Sequence, residues 1–178
     1  KQSFRKHAER NKLIFLPIQT MFERELAIQV GGFQCEGFPI GKPRYRDYCE
    51  DLDLWTRLSD LYKENRYIVT IPEVLYYYRK ADSLSANHFN MIIKMRYTKI
   101  NLLRRRTGQK ELTFEQFYFG LSKKEMRGLQ RDAKAADSLR NGVFYLKKKN
   151  LLKGIWLIMA SLWYKPSYLF DKLKHNIK

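Results

Sequence analysis

From Ser85 to its C-terminus the chain offers only helical signals, and this constrains half of what it can fold into. Met91, Met95, Thr98 and Leu102 recur at the spacing of one helical stripe, which ends near Gly108. A methionine stripe of this kind is far more often core than a ligand set. Thr113 with Gln116, and Ser122 with Glu125, are spaced as reciprocal capping pairs that start new helices. Asn150 and Pro166–Ser167 mark breaks before two final helices. The last, PSYLFDKLKHNI, sets Leu and Phe against Lys at amphipathic spacing.

Before Ser85 the signals are mixed. LIFLPIQTMF, residues 13–22, is branched and aromatic and reads as a strand, with Pro17 restricting it to an edge or a strand end. FERELAIQVGGF reads as a short helix stopped by Gly31 and Gly32. Gly37, Pro39, Gly41 and Pro43 make residues 33–48 a loop long enough to line a site. From Glu50 the apolar residues Leu52, Trp55, Leu58 and Tyr62 resume helical spacing, and Asp53 stands four before Arg57, the favourable order for a helical ion pair. NRYIVTIPEVLYYYR, residues 65–79, then predicts two short extended segments bent at Pro72.

With 178 residues, 44% of them apolar and 15% aromatic, the chain is long and apolar enough for a real core. Its formal net charge of +17 is uneven: residues 1–91 carry 14 Lys and Arg against 12 Asp and Glu, whereas residues 92–178 carry 21 against 6. A basic half of this kind suits nucleic-acid phosphates, an anionic membrane leaflet, or simply solvent on a helical face. Cys35 and Cys49 form no CxxC pair and have no His at metal-ligand spacing, so they read as reduced thiols in a cytoplasmic protein. The opening KQSFRKH carries no apolar run of a signal peptide and reads as the continuation of something upstream. The longest uncharged apolar run, Gly154 to Tyr164, is eleven residues between Lys153 and Lys165. That is well short of the about 20 needed to span a bilayer, so a core or interfacial helix is expected.

In so basic a chain, the bunching of Glu50, Asp51 and Asp53 calls for a reason. Carboxylates in the first helical turn complement the positive end of the macrodipole, each by roughly 0.3–1 kcal/mol. A carboxylate at a helix start facing a cleft can also take a proton from a hydroxyl as a general base.

FERELAIQVGGF, EDLDLWTRL and IPEVLYYYRKADSLS, in that order and with suitable gaps, resemble the C-terminal half of bacterial family 2 glycosyltransferases of the GT-A fold. The likeness covers roughly residues 13 to 90. It implies an α/β chain: a partial GT-A fold with few strands over residues 1–90, the acceptor side of the catalytic domain, followed by a basic, mainly helical region over residues 91–178. It also implies transfer of a sugar, with inversion, from a nucleotide-sugar donor to a saccharide or lipid-linked acceptor in cell-surface polysaccharide synthesis.

On this resemblance Asp51 matches the general base and Glu50 a supporting group, while Asp53 reads as a helix-end charge paired with Arg57. Arg46 and Tyr48 are placed to meet acceptor or diphosphate, and Arg79 and Lys80 to neutralise the leaving diphosphate. The family commonly carries a His two residues after that Arg; here the position is Ala81, and the nearest His, His88, lies seven residues further on. The family's nucleotide-binding half with its DxD metal motif is absent, and the only D-x-D is Asp51–Asp53. Mg²⁺ or Mn²⁺ is therefore expected in a full-length enzyme but not in this fragment, which alone should be inactive.

Apolar surface is expected where the other half would pack. Localisation is expected to be cytoplasmic, with the basic tail from about Leu146 onward peripheral on the inner face of the membrane. The alternative is a non-enzymatic basic helical module that binds nucleic acid or an anionic membrane surface; Arg104–Arg106 and Lys147–Lys149 are its strongest runs.

Overall fold

The computed structural model describes residues 2–16, 20–34, 48–71, 73 and 88–170. Its helices are α1 (Gln2–Glu9), α2 (Arg24–Gln29), α3 (Glu50–Asp60), α4 (His88–Arg106), α5 (Phe114–Gly120), α6 (Lys123–Lys147) and α7 (Leu151–Tyr164). A single 3₁₀ turn, Leu61–Glu64, follows α3. Two compact units result, one from residues 1–84 with 94–120 and the other from residues 85–93 with 121–178.

The α/β expectation, and with it the partial GT-A fold, is overturned: among the described residues no strand or sheet forms, and 71% are helical. Residues 13–16 and 66–71, which the sequence reads as strand, have no regular secondary structure. The Ile14 N–H donates to Thr56 Oγ1 on α3 at 3.3 Å instead of to a neighbouring strand. Ile14 is buried in one core cluster with Ala27, Leu54 and Trp55. In residues 66–71 Ile68 alone is partly buried, against that core, and the other five are exposed. Branched and aromatic residues thus supply an apolar contact with the core, but not a ladder partner. Residues 17–19, 72 and 74–80 of the two expected strand regions lie outside the described residues.

In the first unit, Arg106 at the end of α4 ties three elements together. Its guanidinium donates to the Ala8 carbonyl at 2.5 Å, to Asn11 Oδ1 at 2.8 Å and to Asp60 Oδ1 at 2.5 Å. The end of α1 thus gains a partner for one of its last carbonyls, and α4 is tied to the last residue of α3 through the Asp60 carboxylate. Further along, the Asn101 side-chain amide both donates to the Leu112 carbonyl and accepts from the Leu112 N–H, each at 2.9 Å. It behaves as an extra peptide group and delivers the chain to Thr113, whose hydroxyl and Gln116 cap α5 reciprocally.

In the second unit, α6 opens with the expected capping box of Ser122 and Glu125. Asn150 caps α7 by accepting the Lys153 N–H. Contacts pair Gly142 with Gly154, Ala135 with Ser161, and Asp132 with Lys165, the register of an antiparallel hairpin. The seam between the helices is built from small residues. A Cβ added at Gly142 would lie 2.8 Å from Ile158 Cγ1 and 3.0 Å from the Gly154 carbonyl, and one added at Gly154 would lie 2.7 Å from Leu146 Cγ. The buried Ser161 hydroxyl donates to the Ala135 carbonyl at 2.8 Å.

This seam makes opposite predictions for chemically identical substitutions. Alanine in place of glycine within a helix gains up to about 1 kcal/mol from propensity, and Gly128, with nothing within 4 Å of an added Cβ, should show that gain. Gly142→Ala and Gly154→Ala should instead lose about 1–3 kcal/mol, because the backbones must separate. Urea denaturation midpoints read the sign directly; stabilisation by all three would rule out the close seam.

Candidate functional site

The acids of α3 are aimed by what lies just before them. Cys49, the N-cap residue, is buried and takes the left-handed conformation with φ 64°. Side-chain-bearing residues adopt that region at a cost of roughly 1–2 kcal/mol, and it sets the direction in which Glu50 begins the helix. Helical geometry then fans the three carboxylates apart, since residues one or two apart do not share a face.

Asp53 is committed to the interior. Its carboxylate accepts from Arg57 Nε at 2.8 Å, as the i,i+4 spacing predicts. The same buried guanidinium donates to the Val30 carbonyl and, at 2.6 Å, to the Gly32 carbonyl. Those carbonyls belong to the turn where Gly31 and Gly32, with φ 94° and 64°, end α2 as expected. One arginine therefore joins the glycine turn to the acidic helix.

Asp51 is exposed, and its Oδ1 accepts the Leu52 N–H at 2.7 Å. Among the described residues no cation pairs with it. Glu50 is half-buried and, with Tyr48, lines a polar indentation whose opposite wall is α4. That wall was not foreseen from the sequence. Lys94, Thr98 and Asn101 are only 3%, 2% and 3% exposed, a buried polar line at i, i+4 and i+7. Their spacing was legible, but the apolar Met91–Met95–Leu102 stripe drew attention to neighbouring positions. Of those four stripe residues Thr98 and Leu102 are buried, while Met91 and Met95 are half-buried.

The Lys94 ammonium sits 4.3 Å from the Phe114 ring centroid and 5.2 Å from that of Tyr97, a cation–π arrangement at the bottom of the wall. Asp53 and Glu111 also line it, with Gln34, Cys49 and Tyr97. The indentation has a volume of about 10 Å³, room for about one water molecule, and its lining carries both acceptors and a donor.

Of the residues singled out from sequence, Tyr48 and Glu50 come together in the lining and Asp51 is not part of it; Arg46, Arg79, Lys80 and Ala81 lie outside the described residues. The His88 ring pairs with the Asp137 carboxylate. Asp51 and Asp53 do not fit a divalent cation, because Asp53 is held by Arg57 and adjacent-but-one helical positions diverge. Among the described residues no group of three His, Cys, Asp or Glu is placed to hold a metal ion. The run Arg104–Arg106 is turned to the protein itself: Arg104 donates to the Lys110 carbonyl at 2.6 Å, Arg105 lies 3.3 Å from Glu111, and Arg106 makes the ties described above. Of the two basic runs, Lys147–Lys149 is the more exposed to solvent.

The clamp yields a quantitative expectation. Arg57→Lys keeps the charge but cannot serve three acceptors in a fork, and breaking a buried charged network costs about 3–5 kcal/mol. We expect a thermal midpoint lowered by many degrees in Arg57→Lys and a smaller drop in Asp53→Asn. Equal, near-zero effects in calorimetry would show that the network does not hold the acidic helix.

No family model, no curated protein and no solved structure matches the chain, so the functional reading rests on its own residues.

Proposed function

We propose that this chain is the acceptor-side portion of an inverting glycosyltransferase in which Asp51 is the general base. The observation that carries the reading is the division of labour among the three acids. Asp53 is bound to Arg57, Glu50 lines the polar indentation, and Asp51, the next residue along, is exposed and pairs with no cation among the described residues. The order of the three sequence segments, from the glycine turn through the acidic helix to IPEVLYYYR, supports the same reading.

The chemistry balances with these groups. The acceptor hydroxyl oxygen forms a bond to the anomeric carbon, the bond from that carbon to the nucleoside diphosphate breaks, and the leaving oxygen takes the electron pair. Asp51 receives the hydroxyl proton. Inversion places base and leaving group on opposite faces of the sugar, the demand that also separates the carboxylates of inverting hydrolases. Glu50 and Tyr48 would hold acceptor hydroxyls by hydrogen bonds near the start of α3, where Asp51 also lies. The described residues offer no metal site, so a divalent cation with the nucleotide would be held elsewhere. Phe22 and Phe33, exposed and edge-on to Trp55 at centroid distances of 5.2 and 6.5 Å, form an apolar surface that a donor-binding partner segment would cover.

A base acts in the transition state, so Asp51→Asn in the full-length protein should lower kcat about 10²–10⁴-fold with little change in KM. Glu50 is the second candidate because it faces the indentation directly. Sugar transfer measured with Asp51→Asn and Glu50→Gln separates the two. More than half the turnover kept by Asp51→Asn, with Glu50→Gln inactive, reverses the assignment; full turnover in both removes the reading.

A further inference from the structure

The geometry points to the outer face of α7 as a docking surface for an anionic lipid bilayer, with the helix lying in the plane of the interface. Leu152, Ile155, Trp156, Met159 and Trp163 are exposed, Trp156 by 67% and Trp163 by 85%. At 3.6 residues per turn they fall within an arc of about 100°. Gly154 and Ser161, the residues buried against α6, lie on the opposite side of the same helix.

A helix whose large side chains served its own core would turn them toward its partner. In α7 both tryptophans point away, while Gly154, Ser161 and Ile158 face α6. Of the two readings of this segment, core or interfacial, the exposure of Trp156 and Trp163 favours the interfacial one. The helix has 14 residues, about 21 Å at 1.5 Å per residue. No described helix is long and apolar enough to cross a membrane, so contact with lipid would be along the helix and not through the bilayer.

Charge selects the occupant. From Ser138 to Phe170 the sequence holds no Asp or Glu, while Lys147, Lys148, Lys149 and Lys153 gather at the start of α7. The three lysines of the turn are exposed. Lys153 donates to the Tyr145 hydroxyl at 2.9 Å, which pulls that phenol below its usual value and leaves the ammonium exposed at the edge of the stripe. Lys165, at the far end, is bridged to Asp132 at 2.7 Å and so contributes less. Two copies of this face would bring like charges together, which disfavours self-association. Anionic headgroups would instead add roughly 1 kcal/mol per lysine near the surface to the apolar contribution of the stripe. Tryptophans belong where one edge is apolar and the other wet.

Co-sedimentation of the chain with vesicles tests this. We expect binding to vesicles of equal parts phosphatidylglycerol and phosphatidylcholine, weakened by salt as screening requires, and much less binding to phosphatidylcholine alone. Both tryptophans are exposed, so Trp156→Glu with Trp163→Glu should leave the helical circular dichroism unchanged while lowering partitioning by at least about tenfold. Absence of binding to the mixed vesicles, equal and salt-independent binding to both, or retention of binding by the double variant would overturn the inference. So would a concentration-dependent dimer in light scattering that the double variant abolishes, which would assign the face to a second copy of the chain.

Discussion

The position of the acidic helix depends on one buried guanidinium. A charge taken out of water must be fully partnered, or its desolvation costs more than its contacts return. Arg57 meets that condition with the Asp53 carboxylate and the carbonyls of Val30 and Gly32. The carbonyls are available only because α2 ends in two left-handed glycines, and the carboxylate only because Asp53 is one helical turn away. Val–Gly–Gly, Asp53 and Arg57 are thus one device. It holds α3 against α2, and in doing so sets where Ile14, Ala27, Leu54 and Trp55 meet and where Glu50 and Asp51 emerge.

A similar economy runs through the basic residues. The guanidinium has five donors in a planar fork, whereas the ammonium is a compact, strongly hydrated charge. Arg57, Arg104 and Arg106 all donate to backbone carbonyls inside the first unit. Lys147, Lys148 and Lys149 stay in solvent. A net charge of +17 therefore overstates the free positive surface in the arginine runs and describes it fairly in the lysine turn.

What could be read from the sequence was what short stretches of chain decide for themselves. The capping pairs Thr113–Gln116 and Ser122–Glu125, the Gly31–Gly32 stop, the Asp53–Arg57 pair and the acidic start of α3 each involve residues within four positions of one another. The strands failed because pairing is not local. LIFL supplies an apolar contact with the core, but Thr56, more than forty residues away, decides that Ile14 donates to a hydroxyl. The polar wall of the candidate site failed for a related reason. Thr98 was legible as part of the buried stripe, but Lys94 and Asn101 are buried only because Phe114, Tyr97 and the backbone of Leu112 fold against them. The acids were legible as a group, but their division into a clamp, a lining residue and an exposed carboxylate required the partners.

The seam of α6 and α7 also bears on how this chain can change over time. Register in the hairpin is set by Gly142, Gly154, the Ser161 hydroxyl and the end contacts of Arg131 with the Tyr164 carbonyl and Lys165 with Asp132. None of these involves the large side chains of the outer face. Substitutions at Leu152, Trp156 or Trp163 are therefore nearly free of folding constraint, whereas the glycines admit almost none. Among descendants of this sequence, the inner line of α7 should stay fixed as the hairpin's own requirement. The outer line should drift or hold according only to whatever it touches, so the two sides of a single helix would keep separate records of selection.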